Sequence, residues 1–253
     1  MHWVIQKNLF KPVNYNLLIE ALSTLDISYT PVYIPTGSFD LEPEVSDKKN
    51  VYVCGAIKLK KISENLGWFP GSFLNENFAF DKWLEELKDE LLNYDALLGK
   101  MSSIETSHME KFFIRPLEDN KAFDGSVVDN EMLFSMKNDR SKPYLENLEV
   151  IVSPIKNIYR EYRLFYVKNQ YVTGSLYKVA GRPYASSDVE NSVIQYADSI
   201  VKKWVPSESF VIDISLNESG YKVIEFNNIN SSSFYAANMS KYVQAIQDAY
   251  SEA

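Results

Sequence analysis

Phe210-Val211-Ile212-Asp213-Ile214, then Asn217-Glu218-Ser219-Gly220, then Tyr221-Lys222-Val223-Ile224-Glu225-Phe226-Asn227 read as strand, hairpin turn and returning strand. Antiparallel strands joined this way bring Asp213 near Glu225. Side chains alternate faces along a strand, so Glu225 and Asn227 point the same way while Ile224 and Phe226 face the opposite side. Two carboxylates and an amide oxygen then converge on one face. Like charges ~4 Å apart repel by about 4 kcal/mol at an effective dielectric of ~20, so the pair calls for a proton, a cation or more distance. Hard oxygen donors favour Mg²⁺, which commonly takes one or two carboxylates together with substrate phosphates. For either acid alone, a turn residue or a wet sheet face is the plainer reading; the trio on one hairpin favours the metal.

Composition narrows the classes around this hairpin. With 253 residues, 45% hydrophobic and 24% charged, the chain suits an ordinary soluble protein with a large core. Its net charge of −8 argues against nucleic-acid binding, which neutralises phosphates with a lysine and arginine excess. No apolar stretch approaches the ~20 residues of a membrane span, and the opening Met1-His2-Trp3-Val4-Ile5-Gln6-Lys7 lacks a signal-peptide pattern, so a cytoplasmic location is expected. The single cysteine, Cys54, excludes an intrachain disulfide and cysteine-based metal clusters. His2 and His108 are the only histidines, and neither sits in a recognisable nucleophile context. Chemistry on this chain therefore rests on carboxylates, lysine, arginine and a bound ligand.

The segments order themselves as alternating strands and helices up to about residue 75. Trp3 to Ile5, Ile27 to Ile34 and Val51 to Cys54 read as strands, with helical patterns over Asn14 to Leu25 and Ile57 to Asn65. This predicts a small parallel α/β layer, and without a GxGxxG fingerprint it is not a dinucleotide fold. Gly67-Trp68-Phe69-Pro70-Gly71 punctuates the chain and marks the boundary region, giving domains at 1–75 and 76–253. Further on, Asp81 to Asn93 is predicted helical, Lys111 to Arg115, Val150 to Ser153, Tyr162 to Val167 and Tyr171 to Tyr177 are predicted strands, and helices are expected over Ser186 to Trp204 and Ala236 to Ala249.

Taken in order, Phe112-Phe113-Ile114-Arg115-Pro116, Phe123-Asp124-Gly125-Ser126, Val150-Ile151-Val152-Ser153-Pro154, Glu161-Tyr162-Arg163 and the Asp213 to Asn227 hairpin resemble the ATP-grasp superfamily. The resemblance covers roughly residues 80–253 and implies two α+β subdomains sandwiching ATP, preceded by the small parallel domain. The family usually has a lysine where Arg115 stands. With Glu161-x-Arg163, that departure resembles the clade named for two arginines and one lysine.

The resemblance implies roles residue by residue. Arg115 grips phosphate, as a planar guanidinium does with two parallel hydrogen bonds. Lys121 and Ser126 flank Asp124-Gly125, which resembles the glycine-bearing flap over the phosphates. Backbone groups near Val152, Ser153 and Ile155 hold adenine, and Glu161 accepts ribose or orients Arg163. Arg163 and Lys178 stabilise charge at the transferred phosphoryl group, with Arg182 a further candidate. Asp213, Glu225 and Asn227 hold Mg²⁺. Lys82 resembles an earlier ATP-contacting lysine, although an exposed helix-start residue is the simpler reading. Asn230-Ser231-Ser232-Ser233 reads equally as an anion site or as helix capping. The implied activity is a Mg·ATP-dependent ligase that activates a small-molecule or peptide carboxylate as an acyl phosphate and joins it to an amine or similar nucleophile. A small-molecule kinase, a non-catalytic nucleotide binder and a metal-independent hydrolase using Asp213 and Glu225 stand as alternatives.

Overall fold

Short β-branched and aromatic runs at the start of the chain pair in parallel. The computed structural model describes residues 1–8, 10–45, 48–118 and 122–251. In it β1 (His2–Gln6), β2 (Tyr29–Val32), β3 (Asn50–Cys54) and β4 (Phe69–Gly71) form a parallel front sheet in the order β2-β1-β3-β4. Helices α1 (Pro12–Thr24) and α2 (Ile57–Asn65) make the crossovers that parallel pairing requires. The Gly-Trp-Phe-Pro-Gly punctuation forms the edge strand β4 and extends the sheet.

Helix α3 (Phe80–Leu87) is shorter than its apolar spacing suggests. Lys88 takes a positive φ of 48°, and a 3-10 turn over Lys88–Glu90 redirects the chain so that the amide of Leu92 donates to the carbonyl of Val223 at 2.8 Å. Leu91 is thereby buried by docking on a distant strand. Next comes an antiparallel sheet of β5 (Leu97–Lys100), β6 (Lys111–Pro116), β7 (Ser126–Asp129) and β8 (Glu149–Pro154), ordered β5-β8-β6-β7 and backed by α4 (Asn130–Lys137). Its core of Met101, Phe112, Ile114, Val128, Leu133 and Val152 is its own.

The rest of the chain forms a five-stranded antiparallel sheet of β9 (Ile158–Val167), β10 (Gln170–Val179), β11 (Arg182–Ser186), β12 (Ser209–Asn217) and β13 (Gly220–Asn227), ordered β11-β10-β9-β12-β13. Helices α5 (Asn191–Val201) and α6 (Met239–Tyr250) complete it. Ser186, expected to open a helix, ends β11, and α5 starts five residues later. Helix α6 is capped by Asn238, whose side chain accepts from the amide of Lys241 at 2.9 Å, so the serines at 231–233 do not cap it.

Alternation along β9 and β12 sorts this sheet into two faces. Tyr162, Leu164, Tyr166, Ile212 and Ile214 pack on one side with α3 and α5. Phe165, Val167 and Val211 pack on the other with α1, α6 and the front sheet. The front sheet and the five-stranded sheet thus share one aromatic core, where Trp3 meets Tyr52 and Tyr242 edge-on and Phe165 stacks on Phe234. Asn230, fully buried, stitches the same junction. Its amide nitrogen donates to the carbonyls of Val53 (2.7 Å) and Gly71 (3.2 Å), and its amide oxygen accepts from the backbone N–H of Phe73 (2.8 Å).

Candidate active site

Register brings the acids and bases together. Asp213 on β12 lies opposite Glu225 on β13 and opposite Arg163 on β9, so three adjacent strands present Arg163, Asp213 and Glu225 as one row. Arg163 shares its face with Phe165, and Asp213 with Val211, so the row continues the face that packs on α6. The guanidinium of Arg163 donates to Asp213 from Nε (2.8 Å) and from Nη2 (2.7 Å), a fork-to-fork pair, and lies 4.0 Å from Glu225. The Asn227 amide nitrogen donates to Glu225 at 3.0 Å and lies 3.5 Å from Asp213. The hairpin therefore gathers its three oxygen-bearing side chains, and Arg163 stands among them as the counter-charge.

A bulge in β10 shapes the opposite wall. Pairing with β9 shifts between Leu176 and Lys178, leaving Tyr177 as the extra residue and setting Lys178 opposite Glu161. Both side chains then reach Glu161: the Tyr177 hydroxyl donates at 2.8 Å and the Lys178 ammonium lies 3.0 Å away. Tyr177 stacks on Tyr235 with centroids 4.7 Å apart, and the Arg163 guanidinium lies 5.6 and 5.2 Å from the two rings. Tyr235 holds a φ of 51°, a left-handed conformation unfavourable for an aromatic residue and maintained by the surrounding contacts.

Burial raises the Asp213 carboxyl to about 6, the charges of Glu225 and Glu161 adding to the shift and Arg163 opposing it. Burial works against the Arg163 charge, and the adjoining Asp213 carboxylate overrides it, so Arg163 stays protonated. At neutral pH both partners are ionised. The Tyr177 phenol is pushed well up by burial and by Asp213 and Glu161, and remains neutral.

Two cavities meet at this row. One, of about 470 Å³, runs from Pro154, Ile155 and Lys156 past Glu161 and Lys178 to Asp213 and Glu225. The other, of about 560 Å³, opens toward the front sheet. Arg115, Gly125 and Glu225 line both. The Arg115 guanidinium covers the Phe80 ring at 5.4 Å and donates to the Pro116 carbonyl at 3.3 Å. Gly125 is tight here, since a Cβ would come within 2.8 Å of Phe113 and 3.3 Å of the Arg115 Cβ.

Other candidates lie elsewhere. Val152 is buried in the four-stranded antiparallel core, its strand flanked on both sides by β5 and β6, and the Ser153 hydroxyl donates to Asn93 at 3.1 Å. Of that group Ile155, half exposed, borders the first cavity. Ser126 is exposed at the start of β7 and Arg182 is exposed on β11. Lys82 is exposed and pairs with Glu85 at 3.4 Å. Lys121 lies outside the described residues. Sequence reading missed Tyr177 and Tyr235 as partners of Arg163 and Asn230 as a buried clamp. For the last, the sequence offered a cluster of asparagines, Asn227, Asn228 and Asn230, directly after the predicted hairpin.

Among the described residues no cluster of three His, Cys, Asp or Glu side chains suits a metal ion. The donor set is two carboxylates and an amide, which suits a hard cation completed by phosphate oxygens. No helix among the described residues is long and apolar enough to cross a membrane.

A parallel front sheet followed by two antiparallel sheets that close over such a cavity is the ATP-grasp architecture. D-alanine–D-alanine ligase from Bacillus anthracis, solved with ATP, superposes with a TM-score of 0.67 at 13% identity, over 99% of this chain and 97% of that one. A RimK domain ATP-grasp protein from Sphaerobacter thermophilus gives 0.64 at 12% identity, over 96% and 98%. The ATP-grasp ligase PsnB with its minimal precursor gives 0.63 at 14%, over 98% of each chain. Among curated proteins none is similar enough in sequence to stand as a relative. The model of the ATP-grasp domain in the clade named for two arginines and one lysine, family 2 of that clade, matches residues 95–245, more than half of the chain. The chain belongs to that family.

Proposed function

We propose that the chain is a Mg·ATP-dependent ligase that activates a carboxylate as an acyl phosphate and couples it to an amine or similar nucleophile. One observation carries the reading: Arg163, Asp213 and Glu225 form a row that faces a cavity bordered at its far end by residues 154–156, with Arg115 and Lys178 on its walls. The first cavity would take the nucleotide, with backbone and side chains of 154–156 around the base and Glu161 at the sugar.

Asp213, Glu225 and Asn227 would hold Mg²⁺, which would neutralise negative charge on phosphate oxygens. Turning the Asn227 amide about its last torsion presents its oxygen beside Glu225. Arg163 and Arg115 supply fixed positive charge on either side of the phosphoryl group as negative charge builds on its oxygens. An oxygen of the substrate carboxylate attacks the γ-phosphorus, the bond to the ADP oxygen breaks, and an acyl phosphate results. The amine then attacks the acyl carbon, inorganic phosphate leaves and the amine loses a proton. The ligases among the similar folds, D-alanine–D-alanine ligase and PsnB, support this choice.

Incubation with Mg·ATP, a panel of carboxylic acids and hydroxylamine tests the reading. A hydroxamate formed together with ADP is the expected result. ADP release with phosphate transferred to a hydroxyl and no hydroxamate would identify a kinase instead.

A further inference from the structure

The second cavity has a chemical character of its own. Its lining comes from four parts of the chain: Ile57 on α2, Leu74 and Phe78 ahead of α3 with Phe80 and Trp83 on it, Pro116, Leu117 and Phe123 around β6 and β7, and the end of the hairpin, where Asn227, Asn228 and Ser231 add polar surface. Among the described residues that line it, Arg115 is the one cation, against the acids Glu118, Asp124 and Glu225. Arg115 sits where this cavity joins the other, already spread over the Phe80 ring. At about 560 Å³ the space has the size of an ordinary small-molecule pocket.

These features set both the orientation and the chemistry of an occupant. Its carboxylate must lie at the junction, where Arg115 can hold it and the phosphoryl group of a nucleotide in the first cavity is within reach. Its body then lies against aromatic and aliphatic walls, where each buried CH₂ improves binding and a second negative charge faces more carboxylates than cations. We infer that the acid activated here is a monocarboxylate with an aryl or branched-alkyl body, seated in the second cavity; this rests on the ligase reading above.

Calorimetric titration in the presence of Mg²⁺ and a non-hydrolysable ATP analogue tests it, with 3-phenylpropanoate and succinate as probes. The expected result is at least tenfold tighter binding of 3-phenylpropanoate. Leu74→Glu and Phe78→Ala should each weaken that binding about tenfold, and each variant's affinity for the ATP analogue reports whether its fold is intact. Succinate binding as tightly, neither acid binding, or unchanged 3-phenylpropanoate affinity in both variants overturns the inference. Failure of the ligase reading is separate: the aryl acid would bind with the expected preference, yet Mg·ATP and hydroxylamine would give no hydroxamate.

Discussion

Arg163 and Asp213 face each other across β9 and β12 and are joined by two parallel hydrogen bonds of 2.8 and 2.7 Å. Asp213 is 1% exposed, so the carboxylate has given up water for the guanidinium. Removing one partner of a buried pair strands the other's charge, which typically costs 3–5 kcal/mol, whereas replacing both by apolar groups is often neutral. Arg163→Met should therefore lower the unfolding free energy by about 3 kcal/mol by stranding the Asp213 carboxylate, while Asp213→Asn should weaken Mg-dependent nucleotide binding. Asp213→Asn combined with Arg163→Met should recover most of the stability in urea denaturation and none of the Mg·ATP affinity in calorimetry. Unchanged Mg·ATP affinity in the Asp213→Asn single variant would remove Asp213 from the ligand set.

Nucleotide binding should also sense pH at this carboxyl. Asp213 titrates at about 6, and only its ionised form is a metal ligand. Mg·nucleotide affinity should fall roughly tenfold per pH unit below that value. Near pH 6, titrations in two buffers of different ionisation heat should reveal proton release on binding.

His2 sets a second pH dependence, in stability. Buried beside Ser28 (2.7 Å) and Thr30 (2.9 Å), its imidazole is lowered from 6.5 to about 4, first by burial and then by the charges of Lys48 and the N-terminus. Between those values the unfolded chain binds the proton and the folded one does not. The contribution of His2 is thus full above pH 6.5 and is lost as pH falls to 4, up to about 3 kcal/mol. Asp213 acts oppositely: its folded value is raised, so its contribution is full below the unfolded value of 3.8 and is lost as pH rises through about 6. In denaturant titrations from pH 7 to 4, the stability of His2→Gln relative to the native chain should rise steadily.

Asn230→Ala tests the junction between the front sheet and the hairpin. It strips partners from the carbonyl of Val53 and the N–H of Phe73, both buried, and each unmet group costs about 1–3 kcal/mol. A loss of about 2–4 kcal/mol in urea denaturation is expected. A loss below about 1 kcal/mol would mean that water or the backbone fills the gap.

What could be read from the sequence follows the range of the interactions. The hairpin holding Asp213 and Glu225 was legible because its strands are joined by a short Asn-Glu-Ser-Gly turn, and alternation fixes which side chains share a face. Glu161 and Arg163 were legible as one face of a strand for the same reason. The bidentate contact of Arg163 with Asp213 was not, because β9 and β12 become neighbours only after a helix and a hairpin intervene. The bulge at Tyr177 was hidden too, since a one-residue slip leaves no mark on apolar alternation. Lys111 to Arg115 and Val150 to Ser153 announced their strands, but β5 and β7, with exposed Leu97, Leu98 and Val127, lack the clear one-sided pattern. Leu91 kept helical spacing and left the helix, because docking on Val223 outweighed local propensity.

The shared aromatic core and the Asn230 clamp also bear on how this chain can be recombined with its relatives. A graft replacing everything up to Gly71 would have to import matching partners for Asn230, Tyr242 and Phe165, so the front sheet is not an exchangeable module. The stretch from Leu97 to Pro154 is different. It carries its own core around Phe112, Val128 and Val152 and is continuous in the chain, leaving the rest before Leu97 and rejoining it after Pro154. A chimera cut at those two crossings would keep the Arg163–Asp213–Glu225 row whole and import the donor's version of one wall of both cavities, with Arg115, Asp124, Gly125 and Pro154 among its residues.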